Sequence, residues 1–178
     1  MTSFDKNQDF LSFLKNHNMY HEKSFDYLKK HSTFLNFDNS ITKDFIGCFY
    51  DTNKKGYLTN LKLYVPYIKD KETLLINIHE YTHALYLYEY LNQILDIGLE
   101  KEAIPLLMER IYKLENPSIF LNDYFAQIYN NIKLTNNIEY ILGIEIQNEL
   151  IESYQPEDDI VTLNQKAKHL IKKHNHNL

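Results

Sequence analysis

Apolar residues recur at helical spacing over most of the chain, and short runs rich in Gly, Pro or Asn separate the apolar segments. Residues three and four apart share one helical face, so each segment is predicted to form an amphipathic helix. Two short helices are predicted near the N-terminus, over residues 4–16 and 21–31. Longer helices are predicted over residues 70–96, 101–114, 119–134, 138–154 and from the Pro156–Asp159 segment to about residue 173.

Capping signals flank the predicted helix over residues 70–96. Asp70 is a candidate N-cap, with Thr73 as a later alternative, because short polar side chains accept hydrogen bonds from the first helical N–H groups. Gly98 fits a C-terminal cap, where the left-handed backbone favours glycine. Pro105 falls close to the first turn of the next helix, where its missing N–H is tolerated.

The pattern changes between residues 45 and 68, after a predicted loop over 36–43. An apolar, aromatic run at 45–50 is followed by turn-forming residues at 51–56 and by partial alternation at 57–68, which predicts a β-hairpin or a small sheet. Pro66 cannot donate to a ladder, so the end of the second strand is expected at a sheet edge. Such an edge could pair with an extended peptide or be covered by protein, and both readings stay open.

Composition agrees with a mainly helical chain. It has 178 residues, of which 44% are hydrophobic and only 4 each are Gly and Pro, fewer than a loop-rich or all-β chain would need. This length suits one domain with a substantial core. We therefore expect a single domain over residues 1–178, mainly α with a small β-hairpin or sheet (α+β).

Charge and cysteine content exclude several partners and favour one compartment. A net charge of −5 gives no cationic surplus for binding nucleic acid. No apolar run is long enough to span a membrane, and the N-terminus lacks the pattern of a signal peptide. Cys48 is the only cysteine, which suits a reducing compartment. A cytoplasmic location without membrane or nucleic-acid partners is expected, and the oligomeric state is left open.

The segment over residues 74–95 carries the chemistry, because His79, Glu80 and His83 have the HExxH spacing there. Histidines four apart on a helix present two imidazoles to one metal ion. Glu80 would stand beside the open position of that metal and take a proton from a bound water. The pattern indicates a Zn²⁺ site, and the alternative is a buried helix with two incidental histidines.

A catalytic zinc needs a third protein ligand. Glu89 is rejected because Tyr86 stands where a metzincin has glycine, so the helix should carry Glu89 away from the two histidines. Glu102 is the predicted ligand, since Ala103 beside it would allow close helix packing. Glu109, seven residues later on the same face, could fix the tautomer of a ligating histidine.

Alternatives to Glu102 remain at this stage. Glu100 or Glu109 could be the ligand instead. All three carboxylates could also be a solvated acidic helix start, which the helix dipole favours.

The motifs together resemble a known family. HEYTHAL at residues 79–85, followed by EAIPLLME at 102–109, is similar to the zinc core of the thimet oligopeptidase and oligopeptidase F family. The resemblance covers about residues 74 to 150 and implies a zincin-like, gluzincin-type metallopeptidase with zinc on His79, His83 and Glu102 and with Glu80 as base. It also implies that Tyr140 stabilises the oxyanion; the other candidates are Tyr124, Tyr129 and Tyr154.

The sequence departs from that family at several points. Thr82 stands where the family usually has glycine, Pro105 is one place later, and the interval from His83 to Glu102 is shorter. The family members are also several times longer than this chain, so an open cleft is expected here. We predict a zinc metallopeptidase acting on peptides or proteins. Two alternatives are a regulatory or toxin-like protease with one protein substrate and a non-catalytic, zinc-stabilised interaction module.

Overall fold

The computed structural model describes five stretches of the chain, residues 8–19, 22–36, 46–91, 98–118 and 138–175. The chain divides into two compact units, residues 1–96 and residues 97–178. Helices dominate both units and a three-stranded sheet lies in the first, so the expected α+β class is confirmed. The zincin-like fold and the single domain stay predictions.

The first unit combines three helices with the sheet. Its helices are α1 (Gln8–Asn16), α2 (Glu22–His31) and α3 (Lys71–Tyr88), and its strands are β1 (Ser32–Leu35), β2 (Gly47–Thr52) and β3 (Leu58–Pro66). β2 and β3 form the predicted antiparallel hairpin, with Cys48 opposite Leu63. Gly56 occupies the turn between them at φ +82°, a left-handed conformation that glycine adopts readily.

The sheet order is β1-β3-β2, with β1 parallel to β3. β3 is therefore the central strand, and the expectation that Pro66 marks a sheet edge is wrong. Pro66 is tolerated because it is the last residue of β3, opposite Leu35 at the end of β1, and the ladder continues through Tyr67, whose N–H donates to the Leu35 carbonyl at 3.0 Å. β1 was not predicted, because four residues directly after a helix are too few to show alternation.

The two sides of β3 are covered differently. β1 pairs with Leu63–Pro66 and does not reach the first half of β3. In that half the N–H of Leu61 donates to the Tyr27 hydroxyl at 3.3 Å, and Leu58 forms a parallel bridge with Leu91. On the other side β3 pairs only with β2. Within the described part of the chain the outer edge of β2 has no neighbouring strand, and its residues Phe49 and Tyr50 are each 47% exposed. β2 is thus an open edge strand of the sheet, and β1 is the other outer strand.

Helix α3 packs on one face of the sheet and supplies the core of the first unit. Leu61, Leu63 and Val65 alternate along β3 and are fully buried, as is Ile78 on the helix. Burial of one such side chain stabilises the fold by about 1.5–3 kcal/mol. The Asn77 Nδ2 donates to the Pro66 carbonyl at 2.9 Å, which joins the helix to the end of β3. These contacts hold α3 at a defined position on the sheet.

Helix α3 begins where the sequence predicts and ends earlier than expected. The predicted C-terminus near residue 96 is wrong, because the helix stops at Tyr88. The N–H groups of Tyr90 and Leu91 bond three residues back, to Leu87 and Tyr88, and Leu91 then pairs with Leu58. Pairing with β3 therefore takes the chain out of the helix. Gly98 is too distant to cap it, so that prediction is also wrong.

The N-terminus of α3 is a reciprocal capping box. The Asp70 carboxylate accepts from the Thr73 N–H at 2.9 Å, and the Thr73 hydroxyl accepts from the Asp70 N–H at 3.1 Å. The hydrogen bonds from Thr73 lower the pKa of Asp70. Asp70 is therefore the N-cap, and the later start at Thr73 is wrong.

Replacing Asp70 by Ala is expected to lower the free energy of unfolding by about 1 kcal/mol at neutral pH, because it removes this cap. The pKa of Asp70 is lower in the folded protein than in the unfolded chain. The cap therefore stabilises the fold fully at pH values above the pKa of Asp70 in the unfolded chain, and this stabilisation is lost as the pH falls through the pKa of Asp70 in the folded protein. Urea unfolding of parent and variant from pH 7 down to pH 3 measures both effects. Asp70→Asn keeps an acceptor and should retain most of the stability. If the difference in free energy of unfolding between the parent and Asp70→Ala did not decrease at acidic pH, Asp70 would not be the N-cap described above.

The second unit is a set of packed helices. A 3-10 helix, Leu99–Glu102, leads into α4 (Ala103–Glu115), which is followed by α5 (Ile138–Ser153) and α6 (Ile160–Asn175). The helices predicted over 101–114, 138–154 and after Pro156–Asp159 are thus confirmed, to within two residues at their ends. The helix predicted over 119–134 lies outside the described residues. No helix in the described stretches is long and apolar enough to cross a membrane.

Candidate metal centre

His79 and His83 lie one turn apart on α3 with their ring nitrogens facing each other. Their Nε2 atoms are 3.1 Å apart, and the ring planes meet at 72°. A tetrahedral zinc with Zn–N distances of about 2.0–2.1 Å places two ligand nitrogens about 3.3–3.4 Å apart. The two imidazoles are therefore already spaced as ligands of one ion.

The helix around these histidines is tightly packed. His79 is only 6% exposed, whereas His83 is half-buried. Thr82, where the resembled family usually has glycine, is fully buried, and its hydroxyl donates to the Ile78 carbonyl at 2.7 Å. Tyr81 is also buried, and its ring meets Phe10 edge-on. Thr82 thus fits without leaving a buried hydroxyl unpaired, and the packing keeps the histidine backbone rigid.

Glu80 is half-buried and its charge acts on β2, the open strand. Burial raises the pKa of the Cys48 thiol, and the Glu80 carboxylate raises it further. Cys48 pairs with Leu63, so its side chain lies on the sheet face that α3 covers. The charge of the proposed base therefore acts near the start of β2, where Cys48 is the second residue. The sequence did not predict that Glu80 influences Cys48, because no spacing rule links residues on separate elements.

Glu102 lies in the second unit, at the last residue of the 3-10 helix. It is only 6% exposed, and its carboxylate makes no hydrogen bond that caps α4. A buried carboxylate is costly unless it is paired or binds a metal. The alternative of a solvated helix start is wrong for Glu102, and its burial suits a ligand. The side chain of Glu100 lies outside the described residues.

Glu109 is also buried, at 8% exposure, so the solvated reading is wrong for it as well. The Lys113 Nζ lies 3.8 Å from its carboxylate, one turn further along α4. Burial lowers the pKa of Lys113, and the negative Glu109 opposes that shift. Glu109 therefore has a cation on its own helix. Its predicted action on a histidine tautomer stays a prediction.

The three residues that the sequence predicts as zinc ligands lie on two units: His79 and His83 belong to the first, and Glu102 belongs to the second. That all three bind one ion stays a prediction. Two imidazole nitrogens and one carboxylate oxygen form a donor set suited to zinc, with one position left for another ligand.

Two of the four candidate oxyanion donors, Tyr140 and Tyr154, lie within the described residues. Tyr140 is the third residue of α5 and is half-buried, and its role stays a prediction. Burial raises the pKa of Tyr154 to about 12, and the charge of Glu115 acts in the same direction. A hydroxyl that stays protonated suits a hydrogen-bond donor. Tyr124 and Tyr129 lie outside the described residues.

Comparisons with known proteins give no relative for this chain. No protein-family model matches it. No curated protein and no solved structure matches it either. The resemblance to the thimet oligopeptidase and oligopeptidase F family therefore stays a prediction from short motifs, and the function has to be argued from the site.

Proposed function

We propose that the protein is a zinc metallopeptidase of the gluzincin type that hydrolyses peptide bonds. The observation that carries this proposal is the pair of His79 and His83, whose Nε2 atoms lie 3.1 Å apart on α3. The burial of Glu102, which is 6% exposed, supports it as the proposed third ligand. A structural zinc usually has four protein ligands, so the proposed set of three favours catalysis over the zinc-stabilised interaction module.

Glu80 would perform the proton transfers of the reaction. Zinc, when bound, lowers the pKa of a water towards about 7 and polarises the carbonyl to be attacked. Glu80 would accept the proton of the attacking water and would then donate it to the leaving amine. Tyr140 is proposed to donate a hydrogen bond to the oxyanion.

An extended peptide is the substrate that the first unit suits. The outer edge of β2 has no neighbouring strand in the described part of the chain, and the Glu80 charge acts on Cys48 in that strand. Backbone hydrogen bonds to such an edge recognise a peptide without demanding one sequence. We place the reaction in the cytoplasm, in keeping with the lone Cys48.

Zinc loading and peptide cleavage test the proposal together. The purified protein is expected to hold one zinc per chain by elemental mass spectrometry and to cleave members of a peptide library. Treatment with a chelator should abolish cleavage, and added zinc should restore it. One bound zinc without cleavage of any library peptide would favour the zinc-stabilised interaction module or a protease with one dedicated protein substrate. A chain that takes up no zinc would refute the metal site itself.

A further inference from the structure

Gly143 lies in the middle of α5 and faces the backbone of Glu102, the candidate third ligand. A Cβ atom added to Gly143 would lie 2.8 Å from the Glu102 Cβ and 3.3 Å from the Glu102 carbonyl carbon. It would also lie 3.2 Å from the Leu106 Cδ1. Separations below about 3.0 Å are shorter than carbon atoms tolerate in close-packed interiors. No other residue type fits at this position without movement of one of the two elements.

A glycine in the interior of a helix is otherwise unfavourable. It costs about 0.5–1 kcal/mol relative to alanine, because the unfolded backbone has more freedom to lose. The neighbouring turns of α5 contain no other glycine, and Ile146 and Leu150 fill the same helix with buried apolar side chains. The sequence has its glycine at a position of α5 that approaches Glu102 closely.

The Glu102 atoms that an added Cβ would meet are the Cβ and the carbonyl carbon, from which the Glu102 side chain extends. A clash with these atoms would displace the backbone of residue 102, whereas a clash with a flexible side-chain tip would not. Glu102 is the last residue of the single-turn 3-10 helix Leu99–Glu102, and such a short helix has little rigidity of its own. Packing against α5 is therefore what holds the start of the Glu102 side chain in place.

We propose that Gly143 is a positioning residue for the metal centre, which holds the Glu102 carboxylate at the distance that a metal ion requires. This inference rests on the proposed zinc site. Metal ligands must lie within about 0.2 Å of their ideal distances. An added methyl group at residue 143 has to displace Glu102 or α5 by several tenths of an ångström, which exceeds that tolerance.

Gly143→Ala is expected to weaken zinc binding about 10–100-fold, the usual effect of losing a group that orients a metal ligand. Competition with a chromophoric zinc chelator measures the affinity, and circular dichroism confirms that the variant is folded. Glu145→Ala is the matched control, because Glu145 is exposed on the same helix. The control should bind zinc as the parent does. Parental affinity in folded Gly143→Ala would overturn the inference.

A double-mutant cycle separates positioning from a general effect on the fold. In a Glu102→Ala background the carboxylate is absent, so adding Gly143→Ala should cause no further loss of zinc affinity. An equal loss in both backgrounds would overturn the inference. If Gly143→Ala does not fold, Glu102→Asp replaces it: a fixed backbone cannot compensate for the shorter side chain, so zinc affinity should fall. Parental affinity in Glu102→Asp would overturn the inference.

Failure of the inference is distinguishable from failure of the proposed function. If the parent binds zinc, Glu102→Ala binds it more weakly and Gly143→Ala binds it as the parent does, the proposed metal site is supported and the role of Gly143 is refuted. A parent that binds no zinc would overturn both.

Discussion

Glu80→Gln is expected to leave zinc binding and folding unchanged while lowering peptide hydrolysis by about 10²–10⁴-fold, the usual contribution of a positioned general base. Glutamine has nearly the same shape as glutamate but cannot accept the proton from the attacking water. The relevant measurements are kcat/KM on a cleaved library peptide and zinc content per chain.

Glu72→Gln is the matched control for this substitution. Glu72 is exposed in the first turn of α3, so the same chemical change on the same helix should leave kcat/KM at the parental value. A Glu80→Gln variant that cleaved peptides at the parental rate would show that another group is the base. Loss of zinc from Glu80→Gln would instead show that Glu80 contributes to metal binding.

Glu102→Ala is expected to weaken zinc binding by more than about 100-fold, since removal of a ligand costs more than removal of a group that only orients one. His79 and His83 would remain as a two-nitrogen site, which leaves half of a tetrahedral sphere to water. Chelator competition at neutral pH measures the change. Hydrolysis at fixed zinc concentration should fall with occupancy.

Substitution of the other acidic residues identifies the ligand by comparison. Glu115→Ala is the control, because Glu115 is exposed at the end of α4. Glu109→Ala should have a smaller effect than Glu102→Ala if Glu109 only orients a histidine. Unchanged zinc affinity in Glu102→Ala would contradict the assignment and transfer the ligand role to Glu100 or Glu109.

Local sequence signals were sufficient wherever the structure depends on local contacts. The capping box at Asp70 and the hairpin around Gly56 follow from short-range chemistry and were predictable. That His79 and His83 share one face follows from helix geometry alone, and in the structure their Nε2 atoms lie 3.1 Å apart.

Features that depend on residues distant in sequence were not predictable. β1 became a strand through pairing with β3, which made β3 central and refuted the edge prediction at Pro66. Helix α3 stopped at Tyr88 because Leu91 pairs with Leu58. In each case a tertiary hydrogen bond outweighed a local propensity, which is worth only a few tenths of a kcal/mol per residue.

The amino-acid sequence by itself determined the helix that carries His79, Glu80 and His83, because residues at fixed intervals along one helix need no other segment to lie close together. Only the tertiary structure decided that Glu102 is buried and that it lies against a glycine on another helix. Burial and close approach arise from the packing of separate segments, and the spacing of residues within one segment does not predict them. The sequence could therefore propose the third ligand, whereas packing determines what holds it in place.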